Sequence, residues 1–324
     1  MAARGDNIIR YIYRGEVGEI IPREATHISV AEDITFIRAE AFLDHPDIAL
    51  ADHPNIVEVI CHDKVERIER EAFAGCPSLR RVIMPGVKIV EESAFNDCRV
   101  LTYVECGKME TIKRYAFRNC DSLSSINLPS TRIVEESTFW ECVALTNVKF
   151  GSKLERIEGN AFVDCFSLER ITIPLKDGLL TADNIFQCCE NLNHVDLIEG
   201  ELHETISSLH FEGWKNEASE VIDSINESLP NASAGYYDYD SVDEEIGEKA
   251  EVIRRWIRSV LHKIIRYQEE HQYILDEAAA ILQHALPGDI LTNNVLSLLA
   301  LSAHTFEVED VHSEPDEDSE LEVE

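Results

Sequence analysis

The cysteines are the first residues to consider for chemistry, because a thiolate can act as a nucleophile, bind a metal or form a disulfide. Six of the nine cysteines stand three residues after a phenylalanine: Cys76, Cys98, Cys120, Cys142, Cys165 and Cys189. No two cysteines have the two-residue separation that is common in zinc and thiol redox sites. A constant position beside an aromatic residue favours a core role, since an uncharged thiol packs as a small apolar side chain. We therefore predict free structural thiols in a reducing compartment.

The other candidate ligands do not match a metal site. His45 and His53 each stand between an aspartate and a proline, which fits a surface loop better than a zinc site. The run Asp238, Asp240, Asp243 departs from the calcium-loop pattern, which places Asp or Asn at 242 and glycine at 243. The chain also has no phosphate-binding loop, dinucleotide-binding glycine motif, serine-nucleophile elbow or zinc-protease helix. We predict no metal, no cofactor and no enzymatic activity.

The charge balance limits the classes of partner. Lys and Arg number 29 against 62 Asp and Glu, which gives a net charge of −33. Such a surface repels nucleic-acid phosphates and anionic membranes, so we expect neither as a partner. The first residues carry charges where a signal peptide is apolar, and no stretch is long and apolar enough to span a bilayer. These features predict a soluble protein of the cytoplasm or the nucleus.

An internal repeat sets the position of the cysteines. Phenylalanines recur at spacings of 31, 22, 22, 22, 23 and 24 residues, at Phe42, Phe73, Phe95, Phe117, Phe139, Phe162 and Phe186. The long first spacing contains an eight-residue near-duplication, Asp44–Ile48 repeated as Asp52–Ile56. From the second unit onward, Leu follows each Phe by six residues and Val or Ile by nine. The repeat predicts a solenoid of about eight short parallel strands, because a single coil cannot bury its apolar face alone.

The repeated pattern resembles a known family. Ile-x-x-x-Ala-Phe-x-x-Cys-x-x-Leu-x-x-Val-x-Leu-Pro, over residues 26–198, is similar to the BspA-like, or Treponema pallidum-type, leucine-rich repeat. The resemblance implies a curved solenoid used for binding, and it implies no catalytic residues. Residues 254–306 resemble the helical tail of the diatom-encoded members of this family. The expected fold class is α+β, with a leucine-rich-repeat solenoid followed by a coiled-coil-like helical hairpin.

The segments outside the repeat follow other patterns. We expect an N-terminal cap at 1–25, a helical segment at 201–229, a flexible acidic linker at 230–247, a long and a short helix at 248–304, and a disordered acidic tail at 305–324. In the long helix, apolar positions from 253 to 285 alternate in steps of four and three, which is the coiled-coil period. This seam is predicted to face the 201–229 helix in an antiparallel hairpin. The alternative is self-association with a second copy through the 253–285 helix.

The outward side chains of the strands form the candidate binding face. Residues on either side of each inward Val point away from the core, so they would line the concave surface of the solenoid. The candidate partner-binding residues are Arg81, Tyr103, Glu105, Asn127, Asn147, Lys149 and Arg170. We expect Arg81 and Tyr103 to be the main anchors, because Arg and Tyr are enriched among interface hot spots.

Three functions are compatible with these features. The preferred hypothesis is a non-enzymatic scaffold that binds a protein or peptide on the concave strand face. Residues 286–301 resemble the first helix of an F-box, which makes a ubiquitin-ligase substrate adaptor one alternative. A structural or adhesin-like repeat protein is the other alternative.

Overall fold

The computed structural model describes residues 8–42, 55–198, 212–235 and 248–282. They form a parallel solenoid followed by two helices. Strands are numbered in chain order, and the longer ones share one face: β1 (Arg10–Tyr13), β2 (His27–Val30), β4 (Glu58–Ile60), β6 (Arg81–Ile83), β8 (Tyr103–Glu105), β10 (Ser125–Leu128), β12 (Asn147–Phe150), β14 (Arg170–Ile173) and β15 (His194–Leu197). We call this the long-strand face. It contains the eight predicted strands and, in β1, a ninth.

Six two-residue strands form the opposite face of the solenoid. They are β3 (Phe36–Ile37), β5 (Arg67–Ile68), β7 (Ile89–Val90), β9 (Thr111–Ile112), β11 (Ile133–Val134) and β13 (Arg156–Ile157). All six pair in parallel as one continuous sheet. The apolar residue five positions before each Phe points inward from this sheet, so the chain returns across the core as the repeat predicts.

A column of stacked phenylalanine rings runs through the core. The seven rings are at most 1% exposed, and the centroids of successive rings lie 4.7–5.7 Å apart. This spacing is close to the roughly 4.8 Å between neighbouring strands, because every coil places its ring at the same point. Ring planes within 15° of parallel match an offset-stacked arrangement. The stack therefore ties each coil to both of its neighbours.

The column cysteines also link neighbouring coils. The Cys120 thiol donates a hydrogen bond to the Phe95 carbonyl oxygen, with 3.3 Å between sulfur and oxygen. The same bond is made by Cys76, Cys98, Cys142, Cys165 and Cys189, at 3.0–3.2 Å. The Phe95 carbonyl also accepts the N–H of Cys98 in its own coil, so the thiol uses its second lone pair. A small side chain that donates a bond thus suits this position better than a purely apolar one.

Left-handed residues flank the phenylalanine in five successive coils, from Phe73 to Phe162. In the Phe117 coil, Tyr115 has φ 59° and Asn119 has φ 58°. With this backbone, the N–H of Phe117 donates to Thr138 O and that of Asn119 to Trp140 O, both at 2.9 Å. Asn, Asp and Gly adopt this conformation most readily, which explains their recurrence two residues after the phenylalanine, at Gly75, Asp97, Asn119 and Asp164.

The two helices, α1 (Glu212–Ser228) and α2 (Lys249–Leu282), cover the last coil. They lie antiparallel: the Trp214 ring stacks 5.2 Å from the Tyr267 ring, while Trp256 Nε1 donates to Val221 O at 2.9 Å. The seam positions of α2 from 253 to 271 are all buried: Ile253, Ile257, Val260, Ile264, Tyr267 and His271. Four of them, from Ile253 to Ile264, belong to the same core cluster as the solenoid. The hairpin is therefore the C-terminal cap of the solenoid.

The cap supplies hydrogen-bond partners to a coil that has no following coil. Lys249, which is 1% exposed, donates from Nζ to the carbonyl oxygens of Glu190 (3.2 Å) and Leu192 (2.6 Å). Burial lowers the pKa of this amine. The Cys188 N–H donates to Ala234 O at 2.9 Å, so residues 232–235, inside the segment predicted as a linker, lie against the last coil. Buried backbone groups at the end of a solenoid need such partners.

The basic residues of α2 attach the cap electrostatically. Arg258 pairs with Asp177 at 3.0 Å, Arg254 pairs with Asp183, and Lys263 reaches Glu217 of α1 at 2.5 Å. Two of these contacts join the helix to the solenoid and one joins it to α1. The basic cluster of the sequence thus complements acidic groups of the same chain.

Replacing Lys249 by methionine is expected to lower the free energy of unfolding by about 1–3 kcal/mol, the cost of leaving buried carbonyls without a donor. Lys153→Met, at an exposed solenoid position, is the control and should change stability by less than about 0.5 kcal/mol. Urea unfolding followed by circular dichroism measures both. Equal stability of the two variants would show that the ammonium group does not hold the cap.

Candidate functional site

The strand register aligns the predicted residues in two outward columns. In the first column, Arg81 lies beside Tyr103, and Asn147 lies beside Arg170. In the second column, Asn127 lies beside Lys149. The seven predicted residues, Arg81, Tyr103, Glu105, Asn127, Asn147, Lys149 and Arg170, are all exposed. The structure thus brings them to one surface, as parallel coils require.

Arg81 and Tyr103 contact each other on this surface. The Arg81 guanidinium lies 4.7 Å from the Tyr103 ring centroid, within the range of a cation–π contact. Arg81 Nε also pairs with Glu58 at 3.2 Å, and the Tyr103 hydroxyl donates to Glu105 at 3.1 Å. Both side chains are therefore fixed while Tyr103 remains 44% exposed. A fixed and exposed aromatic–arginine pair loses little side-chain entropy when it binds a partner.

An apolar strip runs beside this pair. The register places Ile12 of β1, Ile60 and Ile83 in the second outward column, with Ser29 between the first two. Ile12 is 53% exposed and Ile60 is 40% exposed. The repeat pattern does not place Ile12 in this column, because β1 precedes the recognised repeats. The alternation Arg10-Tyr11-Ile12-Tyr13, with Tyr13 buried, is the signal that would have revealed it.

The long-strand face is divided in two. Within residues 55–198, β8 does not pair with β10, so β1 to β8 form a five-stranded sheet and β10 to β15 a four-stranded one. Across the interruption, the Cys106 thiol donates to Asn127 O at 3.6 Å. The inward Val104 is 9% exposed at this point, whereas Val82 and Val148 are 0% exposed. On the opposite face β9 still pairs with β7 and β11, so the coils stay stacked while the long strands separate.

The interruption separates the predicted residues into two groups. Arg81, Tyr103 and Glu105 lie on the five-stranded sheet, next to the apolar strip. Asn127, Asn147, Lys149 and Arg170 lie on the four-stranded sheet, where the outward groups are polar: Arg170 contacts Asp196 at 2.6 Å. We call the first group, together with the apolar strip, the N-terminal patch. The second group is the C-terminal patch. Only the N-terminal patch combines an aromatic ring, charges and exposed apolar side chains.

The described residues contain no arrangement suited to metal or thiol chemistry. Over these ranges, no three His, Cys, Asp or Glu side chains converge as metal ligands. Burial raises the pKa of Cys61 and of Cys106 to about 12, and it raises the pKa of Cys98, Cys120, Cys142 and Cys165 as well, so these thiols stay protonated at neutral pH. His45, His53, the Asp238–Asp243 run and the F-box-like segment 286–301 lie outside the described residues. In the part of the chain that the structure covers, neither helix has the length and apolar character needed to cross a membrane.

Comparisons with solved structures find similarity to several bacterial proteins. The T. pallidum leucine-rich repeat protein is 29% identical, with a TM-score of 0.41, over 43% of this chain and 69% of that one. A leucine-rich cell-surface protein of Faecalibacterium prausnitzii is 18% identical, with a TM-score of 0.26, over 56% of this chain and 62% of that one. The pneumococcal vaccine antigen PcpA is 17% identical, with a TM-score of 0.38, over 57% of this chain and 54% of that one. A search of curated proteins finds no match.

The family assignment comes from the repeat. The family model for the BspA-type leucine-rich repeat region matches six copies in this chain, over residues 45–131 and 110–233. Together these ranges cover more than half of the sequence and include the coils from β4 to β15. This chain belongs to the family of proteins with BspA-type leucine-rich repeats.

Proposed function

We propose that this protein is a non-enzymatic scaffold that binds a protein or peptide segment on its long-strand face. The observation that carries the proposal is the N-terminal patch, where the Arg81–Tyr103 pair adjoins the column that holds Ile83, Ile60 and, two strands further along the sheet, Ile12. Fixed arginine and tyrosine side chains next to apolar surface are typical of the residues that dominate protein interfaces. The repeat family, whose members are generally binding scaffolds without catalytic residues, is consistent with this function.

The patch has a chemistry that favours an amphipathic partner. Ile12, Ile60 and Ile83 offer an apolar strip, and the adjacent column offers both signs of charge through Glu58 and Arg81. A partner segment with apolar side chains on one edge and charged or amide groups on the other would match both columns. The polar C-terminal patch would add hydrogen bonds to such a segment and thereby contribute specificity.

The double substitution Arg81→Ala, Tyr103→Ala is expected to weaken partner binding by tenfold or more, since two hot-spot residues typically contribute at least about 2 kcal/mol. The full chain and the variant are used in parallel for affinity capture from lysate, with quantitative mass spectrometry of the captured proteins. A candidate partner is then titrated against both. A second variant, Asn147→Ala with Lys149→Ala, measures the contribution of the C-terminal patch.

The chain offers a matched control on the opposite side of the solenoid. The Arg114 guanidinium lies 4.7 Å from the Tyr115 ring, the same distance as in the Arg81–Tyr103 pair. The control is Arg114→Ala with Tyr115→Asn, because asparagine tolerates the left-handed backbone at this position (φ 59°). A partner lost in both double variants, or in neither, would contradict binding at the N-terminal patch.

Two alternatives and the location of the protein are testable separately. Surface display has one supporting observation, that a structural relative is described as a cell-surface protein. Labelling of the protein by a membrane-impermeant reagent on unlysed cells would support surface display and exclude the cytoplasmic or nuclear location that we propose.

The ubiquitin-ligase adaptor hypothesis depends on residues 286–301. It predicts co-purification of the ligase subunit that binds F-box helices, and loss of that subunit on Leu286→Ala with Ile290→Ala.

A further inference from the structure

Helix α2 has a second surface, on the side away from the buried seam. The exposed positions Arg255, Ser259, His262, Arg266, Glu269, Tyr273 and Glu277 follow one another in steps of three or four residues. They form a single stripe along one side of the helix, about 33 Å long at 1.5 Å per residue. The seam positions from 253 to 271 are buried, so this stripe is the exposed side of α2 among the residues that the structure describes.

The stripe is divided by charge. Up to position 266 the charged residues of the stripe are Arg255 and Arg266, and beyond it they are Glu269 and Glu277. The other basic residues of this part of the helix, Arg254, Arg258 and Lys263, already pair within the chain. The basic half borders a surface depression of about 520 Å³, which Arg255, Ser259 and His262 help to line. The acidic half presents Tyr273, 69% exposed, beside Ile274. The same helix therefore has a depression lined by cationic residues at one end and an exposed tyrosine near carboxylates at the other.

We propose that two copies of this chain associate through this stripe, with their α2 helices antiparallel. A twofold axis between Arg266 and Glu269 would place Arg266 of each copy opposite Glu269 of the other. The same register brings Tyr273 of one copy to the depression at His262 of the other, and Glu277 to the stretch between Arg255 and Ser259. Each contact occurs twice, as a twofold interface requires, and the two charged halves neutralise each other.

The size of the surface predicts a weak association. A stripe about 40 Å long, counted to Ile281, and about 10 Å wide gives roughly 400 Å² per chain. This total of roughly 800 Å² lies below the 1,200–2,000 Å² of stable interfaces. Two residues of the stripe now form ion pairs within the helix, one turn away. Arg255 pairs with Glu251, and Arg266 pairs with Glu270. Exposed pairs of this kind contribute little, so they can exchange for contacts across the interface.

The arrangement would give the scaffold two binding faces. The long-strand face belongs to the solenoid, whereas the stripe lies on the cap, so association through α2 would join two N-terminal patches in one assembly. A partner with two matching segments would then be held with higher apparent affinity than by one chain.

Charge-swap variants of the full chain test the proposed register. At low salt (about 10 mM, Debye length about 30 Å), sedimentation velocity from about 10 to 500 μM should show a concentration-dependent dimer, which is lost at about 1 M salt. Arg266→Glu and Glu269→Arg should each weaken association by about tenfold, because each places two like-charged pairs across the axis. Circular dichroism of the variants controls for loss of the helix.

The decisive sample is a mixture of the two single variants. In the mixed dimer both pairs regain opposite charges, so association should return to within about threefold of the unmodified chain, as it should for the double variant Arg266→Glu, Glu269→Arg. Restoration between two different chains cannot arise from stability within one helix. A monomer at all concentrations, a dimer indifferent to both swaps, or a mixture as weak as its components would each overturn the proposal. Sensitivity to Arg266→Glu but not to Glu269→Arg would point to an acidic segment as the occupant and would likewise overturn it.

Discussion

Replacing Phe117 by alanine is expected to lower the free energy of unfolding by about 4–6 kcal/mol. Removal of a buried phenylalanine typically costs about 3–5 kcal/mol through lost transfer energy and the cavity left behind. Phe117 also stacks on Phe95 at 5.2 Å and on Phe139 at 5.5 Å, and each such pair contributes about 0.5–1.5 kcal/mol. Because coils are stabilised by their neighbours, a gap in mid-stack should reduce the cooperativity of the whole array.

A second phenylalanine provides the control for this substitution. Phe166 lies in the next turn but one, where its ring is 47% exposed and outside the stack. Phe166→Ala should therefore change stability by less than about 0.5 kcal/mol. Chemical denaturation with two probes, far-ultraviolet circular dichroism and tryptophan fluorescence, would report both stability and cooperativity. Equal stability of the two variants would mean that the stacked rings do not hold the coils together.

Alkaline pH is expected to destabilise the protein steeply, because its buried thiols cannot ionise while it is folded. In the unfolded chain these thiols ionise near their ordinary pKa of 9.0, whereas burial raises the folded pKa of Cys61 and Cys106 to about 12. The pKa of Cys98, Cys120, Cys142 and Cys165 is also raised by burial. Above pH 9 the folded state therefore holds protons that the unfolded state has lost. Stability that is complete below pH 9 is lost as pH rises toward 12.

The size of this effect follows from the number of thiols. Each contributes up to about 1.4 kcal/mol per pH unit in this window, so six could contribute about 8 kcal/mol per unit as an upper bound. That is comparable with the whole stability of a domain, about 5–15 kcal/mol. Urea unfolding between pH 8 and pH 11 with a reductant present would measure the slope.

Removing two of the thiols checks their role in the alkaline transition. Cys61→Val with Cys106→Val should reduce the part of the slope that comes from thiols by about a third, because two of the six thiols with a raised pKa are removed. Both residues lie outside the cysteine column that donates to the phenylalanine carbonyls, so the bonds of that column are kept. The long contact from Cys106 to Asn127 O is the one contact between coils that this variant removes. A slope unchanged in this variant, or stability that stays flat to pH 11, would contradict the assignment to thiols.

The core could be predicted because it is a local pattern repeated. Ile, Phe, Cys, Leu and Val return at fixed offsets from 73 to 195, and a solenoid stacks equal positions on one another. The adjacency of Arg81 and Tyr103 follows from the same rule, since they occupy the same position in successive coils. The hydrogen bond from each cysteine was not predictable from the pattern alone. It depends on which carbonyl the thiol meets in the preceding coil.

The division of the binding face could not be predicted from the repeat. The β8 and β10 units follow the pattern as well as their neighbours do, yet their long strands do not pair. Pairing depends on how the coils curve on both faces at once, which is a property of the whole stack. The repeat likewise could not predict β1 and its residue Ile12. They join the face because a segment outside the repeat pairs with the first free strand edge.

Taken by itself, the sequence determined which side chains face inward, how the coils stack and which residues reach the long-strand face, because these depend on spacing within about 22 residues. Only the tertiary structure decided what covers the solenoid end: Lys249 meets the carbonyls of Glu190 and Leu192 across nearly sixty residues of chain. That contact also decided which side of α2 is buried and which remains exposed. A helical period shows that an apolar seam exists, but the partner that covers it is set by contacts between distant residues, because the last coil has an apolar edge to bury.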